Sequence, residues 1–152
     1  MRLVALRLAG LVCALLIFAM AFAHVMELPG KLRLDGSSWL TIQQNLYIAF
    51  GPAAAVLEPL AIVLAWVLVL VLRREGRDYG LPLLAATCMT VGLIEWALIV
   101  QPMNTRLNGW TPATLPPDWT ACRNQWEIGH AVHAGLFAVA SGALLVSALK
   151  RH

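Results

Sequence analysis

The chain has 152 residues, of which 60% are hydrophobic and 12% are charged. Soluble domains are about half apolar and about a quarter charged, so this composition excludes an ordinary soluble domain. It also excludes a disordered chain, which would need low hydrophobicity and high charge. The net charge of +3 comes from basic residues that form no cluster, which argues against a nucleic-acid-binding protein. We expect one integral membrane domain over residues 1–152.

Four apolar stretches are long enough to cross a bilayer, which takes about 20 helical residues. They cover residues 3–28, 52–72, 81–100 and 126–149. A segment of mixed polarity at residues 39–47 predicts an interfacial helix before the second span, followed by a bend at Gly51-Pro52. The expected fold is all-α: a four-helix transmembrane bundle with an interfacial helix in the first outer connection.

The basic residues predict the orientation of the bundle. Seven of them lie at the two chain ends and in the second connection, and four lie in or next to the first and third connections. The more basic side is expected in the cytoplasm, so both termini are predicted to be cytoplasmic, in a bacterial inner membrane. One alternative remains for the first span, because Ala21-Phe22-Ala23 resembles a signal-peptidase site. Retention of this span is favoured, since its apolar run is too long for a signal peptide.

Ionisable side chains interrupt all four spans at a similar depth in the outer half. A charge at the bilayer centre costs roughly 2.5–3.5 kcal/mol, so these residues are the most informative in the sequence. They are His24 and Glu27 in the first span, Glu58 in the second, Glu95 in the third, and Glu127, His130 and His133 in the fourth. The two Glu/His pairs are spaced i, i+3, which places each pair on one helix face.

Four carboxylates at one depth in a low-dielectric bundle cannot all remain ionised without cations. No lysine or arginine is predicted at that depth, so a metal ion is expected. Dinuclear sites in helix bundles use two single glutamates and two Glu/His pairs. The predicted ligands are His24, Glu27, Glu58, Glu95, Glu127 and His130. These ligands suit one or two ions of iron, with manganese or zinc as alternatives. His133 is a further ligand or a hydrogen-bond donor to one.

Other interpretations of these residues stay open. Glutamates near a helix end often reach water, Glu58 precedes Pro59 and can satisfy backbone groups that the proline frees, and His130 can be an ordinary interior histidine. A haem held between His24 and His130 is one alternative cofactor. A non-enzymatic path for protons or divalent ions is another possibility, and so is a structural subunit with incidental buried acids.

Several residues around the third connection resemble a known family. They are Pro102-Met103-Asn104 after the third span, then Trp119, Arg123, Trp126 and His130 leading into the fourth. With them, the chain resembles the anthrone-oxygenase-like family of small four-span membrane proteins, and residues 24–31 resemble a subgroup motif. The resemblance implies oxidation of a lipophilic aromatic substrate by dioxygen, with Asn104 and His130 as functional positions. The chain has His133 where the family pattern has arginine, which indicates a metal-binding branch.

The expected function is therefore a membrane-bound, metal-dependent oxidoreductase of the oxygenase type, acting on a lipophilic aromatic or quinol-like molecule. Asn104 and His133 are the predicted catalytic residues. The predicted entrance for substrate consists of Trp39, Tyr47, Trp110 and Trp119. Anchoring at the membrane interface explains these aromatic residues equally well. The expected partners are the lipid bilayer, a small lipophilic molecule and further copies of the chain, with no nucleic acid.

Overall fold

The computed structural model describes residues 2–150. That part of the chain is helical and contains no strand. Its elements are α1 (Arg2–Lys31), α2 (Gly36–Leu46), α3 (Phe50–Arg74), α4 (Gly80–Glu95), one π-helical turn (Trp96–Val100), α5 (Gln101–Asn108) and α6 (Trp119–Leu149). Four stretches are long and apolar enough to span a membrane: α1, α3, the continuous α4–α5 stretch and α6. The prediction of an all-α bundle with four spans is confirmed.

The four spans form a ring in which α1 packs against α3 and α6, and α4 packs against the same two helices. Small residues at the contacts let the helices approach closely, as is typical of membrane bundles. The fully buried alanines are Ala14, Ala61, Ala85, Ala86 and Ala140. Large apolar side chains such as Leu8, Val63 and Leu145 point outward and are exposed. Such a surface is suited to lipid, so the chain is an integral membrane protein.

The two ends of the bundle differ in structure. At the proximal end, where α1 begins and α6 ends, Arg7 Nη1 donates a hydrogen bond of 2.9 Å to the Ser147 carbonyl. The distal end holds α2, α5 and the loop of residues 109–118. Asp35 caps α2 by accepting a hydrogen bond of 2.9 Å from the Ser38 amide, and this bond lowers the pKa of the Asp35 carboxyl. The short helix predicted in the first connection is confirmed as α2. Arg151, one of the basic residues used to predict orientation, lies outside the described residues.

Four predicted boundaries differ from those in the structure. The first span continues through Pro29-Gly30 to Lys31, because a proline near the last turn removes only one hydrogen bond of the helix. The bend expected at Gly51-Pro52 lies earlier, at residues 47–49, and Pro52 falls in the first turn of α3. There a proline is tolerated because its missing N–H would have no partner within the helix.

The third span does not end at Gln101-Pro102. The π turn at Trp96–Val100 carries the helix across this point, since the Gln101 amide donates to the Trp96 carbonyl five residues earlier. Pro102 then lies at the start of α5, within this continuous helix, where it lacks the N–H that would continue the hydrogen-bond ladder. At the other side of the third connection, α6 begins at Trp119 rather than at residue 126.

Candidate functional site

A cavity of about 570 Å³ lies in the distal half of the bundle, between the spans and under α2. Its polar wall includes His24 from α1, Glu58 from α3, Asn104 from α5, and His130 and His133 from α6. Its apolar wall includes Ile17, Met20, Phe50, Trp96 and Trp126. The structure therefore brings five of the predicted metal-binding and catalytic residues onto the surface of one cavity.

His133 lies between two buried carboxyl groups at the deep end of the site. Its Nε2 atom is 3.6 Å from Glu58 Oε1, and its Nδ1 atom is 3.6 Å from Glu95 Oε2. Nδ1 also lies 3.2 Å from the Gly92 carbonyl, which can only accept, so Nδ1 is the nitrogen that donates. In the neutral ring, Nε2 then has the free lone pair and faces Glu58. Glu95 does not line the cavity and lies behind His133.

The carboxyl groups beside His133 have unused acceptors. Glu58 Oε1 and both oxygens of Glu95 are buried and have no hydrogen bond within residues 2–150, because a separation of 3.6 Å is too long for one. Buried polar atoms without a partner are rare and costly in folded proteins. A bound molecule that donates a hydrogen bond to Glu58 would therefore gain more binding free energy than one that donates to a group with its hydrogen bonds already made.

Lys31 lies at the centre of a second cluster, nearer the distal surface, although no basic residue was expected at this depth. That expectation was wrong. The Lys31 side chain is 3% exposed. Its Nζ atom lies 3.2 Å from Glu27 Oε2 and 3.6 Å from Glu127 Oε1. It also lies 3.2 Å from His24 Nδ1. The side chain folds back along α1, in the direction in which helical side chains tilt, and neutralises two of the predicted metal ligands.

Aromatic rings complete the environment of the Lys31 ammonium. Its Nζ atom is 4.8 Å from the ring centre of Tyr47 and 4.9 Å from that of Trp126, which are favourable cation–π distances. The Tyr47 hydroxyl donates a hydrogen bond to Glu27. Burial, and after it this hydrogen bond, raises the pKa of the Tyr47 phenol. Tyr47 is therefore a persistent proton donor to Glu27.

His24 and His130 meet in the middle of the cavity wall, with ring centres 4.4 Å apart. His24 Nδ1 accepts from the Lys31 ammonium, so its ring proton lies on Nε2. His130 Nδ1 donates to the Trp126 carbonyl at 3.0 Å, which leaves its Nε2 as an acceptor when the ring is neutral. The two rings are too close for a porphyrin to lie between them, so the haem alternative does not fit this arrangement.

The six predicted metal ligands do not converge on one point. Glu27 and Glu127 face Lys31, whereas Glu58 and Glu95 face opposite nitrogens of His133. Because the two nitrogens of an imidazole point in different directions, one ion cannot bind these three side chains together as they stand. No group of three or more His, Cys, Asp or Glu within residues 2–150 is arranged to hold a metal ion. The metal centre remains a prediction.

Asn104 lines the cavity, as its predicted catalytic role requires. Its Oδ1 atom accepts a hydrogen bond of 2.7 Å from Trp126 Nε1, and its Nδ2 atom donates to Gln101 Oε1 at 3.3 Å. Asn104 thus fixes the position of Trp126, the residue whose ring covers Lys31 and whose carbonyl binds His130.

Of the four predicted entrance residues, Tyr47 lines the cavity and the three tryptophans do not. Trp39 is fully buried and its Nε1 atom lies 3.5 Å from Glu127 Oε1, so the structure places Trp39 away from the cavity wall. Trp110 and Trp119 pack with Trp39 in a distal apolar cluster. This cluster holds α2 against α5 and α6, which explains the high density of tryptophan in the third connection.

Sequence reasoning missed Gln43, which lines the cavity from α2. Both polar atoms of its side-chain amide are buried and have no hydrogen bond among the described residues. The adjacent Gln44 is different, because its Nε2 atom donates to the carbonyls of Leu107 and Trp110 at 2.9 and 3.0 Å. Two glutamines in a row were the available signal, but only the fold distinguishes the satisfied amide from the unsatisfied one.

The site therefore combines side chains from all four spans and from α2 around one cavity. The chain matches no protein-family model, no curated protein and no solved structure.

Proposed function

We propose that this protein is a membrane oxidoreductase that binds a lipophilic aromatic or quinol-like molecule in the distal cavity and oxidises it with dioxygen. One observation supports this most directly: a cavity of about 570 Å³ has a largely apolar wall with His133, Glu58, His24 and His130 facing into it. Small-molecule sites are typically apolar cavities of about 300–1,000 Å³ with a few converging polar groups. A lipophilic substrate would reach it from the bilayer.

The proposed reaction converts an anthrone-type methylene group to a carbonyl. The methylene carbon gives up two C–H bonds and four electrons. Dioxygen accepts the four electrons, so one oxygen atom becomes the carbonyl oxygen and the other leaves as water with the two hydrogens. Deprotonation of the substrate must come first, because the resulting aromatic oxyanion is the form that gives electrons to dioxygen. The protein's task is to remove that proton and to orient the ring.

His133 is the proposed base, since it lines the cavity and its Nε2 atom, which lies 3.6 Å from Glu58 Oε1, has the free lone pair of the neutral ring. The Glu58 carboxylate would stabilise the imidazolium that forms. The His24 Nε2–H group and the Asn104 amide are the proposed donors to the substrate oxygen. A proton on His133 then returns to the reduced oxygen atom that leaves as water.

A divalent cation or proton carrier is the second candidate function. The unused oxygens of Glu58 and Glu95 favour it, together with the ionisable groups that continue through His133, His130 and His24 to the 42% exposed side chain of Glu27.

Iron, manganese or zinc in purified protein would support the predicted metal centre. Less than a tenth of an equivalent of any transition metal by elemental analysis would count against it.

We further propose that the distal end faces outward and that both chain ends are cytoplasmic, in a bacterial inner membrane. The distribution of basic residues supports this orientation. A lipophilic substrate dissolved in the bilayer can then contact the bundle on any side, because the outward surfaces of the spans are apolar.

His133→Asn tests the proposed oxidation. Asparagine places its amide nitrogen near the position of His Nδ1, so it keeps the hydrogen bond to Gly92 while it removes the Nε2 base. We expect the rate of anthrone oxidation to fall by roughly 10²- to 10⁴-fold, the usual contribution of a general base, with little change in unfolding temperature. The measurement is the absorbance of the product in detergent solution, with one dioxygen consumed per product.

Ser141→Ala is the matched control, because Ser141 is also a buried α6 residue but lies outside the cavity. It should keep the full rate. A wild-type protein that consumes no dioxygen above the protein-free rate, with anthrones or quinols, would exclude the proposed function. An unchanged rate in His133→Asn would exclude His133 as the base.

A further inference from the structure

We propose that the distal cavity selects rigid aromatic molecules with a hydrogen-bonding group at each of two opposite ends, one bound by the Gln43 amide and the other by the Glu58 carboxyl. This defines the substrate class of the site in the proposed function and rests on that site. It concerns binding alone, so it can be tested without any oxidation.

The distal pole of the cavity is the side chain of Gln43. Its Nε2 and Oε1 atoms are both buried without a hydrogen bond in the described part of the chain, and the residue lines the cavity. A side-chain amide offers both donors and an acceptor. Gln43 can therefore bind either a hydroxyl or a carbonyl group of a ligand.

The deep pole is Glu58, which is 4% exposed and also lines the cavity. Its Oε1 atom has no hydrogen bond to any residue from 2 to 150 and lies 3.6 Å from His133 Nε2. The unbonded carboxyl oxygen is an acceptor. A ligand group that donates, as a phenolic hydroxyl does, would satisfy it.

The two poles lie at different depths in the bundle. Gln43 is on α2 at the distal end, whereas Glu58 is eight residues after Phe50, where α3 begins. At 1.5 Å per residue this places Glu58 about 12 Å along α3 from its start. The rest of the wall includes the apolar side chains of Phe50, Trp96 and Ala54, with His24 and His130 beside them. A flat aromatic body with polar groups at both ends fits this pattern.

Three biphenyls without an oxidisable methylene group serve as probes. They are biphenyl, para-hydroxybiphenyl and para,para-dihydroxybiphenyl, which differ only in the number of hydroxyl groups at the ends of a rigid rod. Binding is measured in nanodiscs without dioxygen, by quenching of tryptophan fluorescence, because Trp96 and Trp126 line the cavity. Protein-free nanodiscs correct for partition into lipid. The selectivity ratio is the Kd of the single hydroxyl compound divided by that of the double one.

Gln43→Met is the test variant, since methionine has a similar shape and no hydrogen-bonding amide. We expect it to lower the selectivity ratio by roughly two- to tenfold, the range for one hydrogen bond. Binding of para-hydroxybiphenyl should not change, because its single hydroxyl would bind Glu58. Glu58→Met should weaken both hydroxylated probes and leave biphenyl unaffected.

Asn45→Met is the control, because Asn45 lies two residues further along α2, is exposed and does not line the cavity. It should keep the wild-type selectivity ratio. An unchanged ratio in Gln43→Met would overturn the proposal, and so would an equal fall in Asn45→Met, which would show a general disturbance of α2. If the ratio behaves as expected while no substrate is oxidised, the binding inference stands and the proposed oxidation fails.

Discussion

Lys31 shows how one long side chain changes the chemistry of the distal cluster. Its ammonium is buried between Glu27 and Glu127 and contacts two aromatic rings. Burying separate charges is costly, but a buried charge with matched partners is tolerated. At the scale of single residues, Glu27 and Glu127 therefore depend on the same cation, and removal of Lys31 leaves both carboxylates without their positively charged partner.

Lys31→Met should destabilise the protein by roughly 3–5 kcal/mol, the usual cost of leaving a buried charge without its partner. The double variant Lys31→Met/Glu127→Gln should recover part of that loss, because it removes the unpaired carboxylate as well. The measurement is unfolding from mixed micelles by added SDS. Lys150→Met is the control, since Lys150 and Asp78 form an exposed pair worth at most about 1 kcal/mol. Equal losses in both lysine variants would contradict this account of Lys31.

Tyr47 should make stability depend on alkaline pH. Its pKa is raised above the ordinary value of about 10 by burial and by Glu27, so above that pH the unfolded chain loses the phenolic proton while the folded chain keeps it. The contribution of Tyr47 to the free energy of unfolding is therefore fully present below a pH of about 10 and is lost as the pH rises further. Stability should fall more steeply above this pH in the wild type than in Tyr47→Phe. The comparison variant Tyr79→Phe should retain the wild-type steepness, and a loss of steepness there instead would refute the assignment.

At the scale of elements, the π turn at Trp96–Val100 determines how α4–α5 meets α6. It adds a residue to the helical turn, which brings Val100 and Glu95 against Gly129. A methyl group at Gly129 would lie 2.6 Å from Val100 Cγ2 and 3.1 Å from Glu95 Oε1. A glycine is needed there because a β-branched, fully buried valine cannot move aside easily. The same contact holds Glu95 behind His133.

Gly129→Ala should destabilise the bundle by roughly 1–3 kcal/mol, the cost of overpacking a tight core, and should shift the position of Glu95. The added methyl group of Gly135→Ala, on the same helix, meets no atom of the described residues within 4 Å, so this change should be neutral or stabilise by up to about 1 kcal/mol. SDS-induced unfolding measures both. A Gly129→Ala protein as stable as Gly135→Ala would mean that the π turn is not packed as described.

At the scale of the whole molecule, the main apolar core and the polar cavity occupy different halves of the bundle. The main apolar core connects α1, α3, α4 and α6, while the cavity and the tryptophan cluster lie towards the distal end. The purely apolar contacts can hold the spans together while the other half binds a ligand. The proposed orientation follows from the same division, because the proximal loop is basic and the distal end is aromatic.

Cysteine labelling tests that orientation. A cysteine at Ala113, in the exposed distal loop, should react with a membrane-impermeant thiol reagent added to intact spheroplasts. A cysteine at Glu75, in the exposed proximal turn, should react only after the membrane is permeabilised. Unmodified protein gives the background from the native cysteines, of which Cys13 and Cys122 are buried. Labelling in the reverse order would contradict the proposed topology.

The sequence by itself determined the number of spans and the depth of the polar residues. The length of each apolar run shows whether it can span the membrane, and the fixed rise per helical residue converts position in that run into depth. It therefore predicted that His24, Glu58, His130 and His133 would approach one another. It also supplied the i, i+3 spacing of Glu127 and His130, but the fold directs these two side chains to different neighbours: Glu127 faces Lys31, and His130 faces the cavity.

Only the tertiary structure decided which groups pair. Lys31 reaches back along α1 to bind Glu27 and Glu127, and His133 separates Glu58 from Glu95. These outcomes depend on helix rotation, on the π turn that carries the third span past Pro102, and on the reach and direction of side chains. Hydropathy and spacing measure none of these quantities, so the sequence predicted where the polar groups lie, and the packing of the helices determined what each of them contacts.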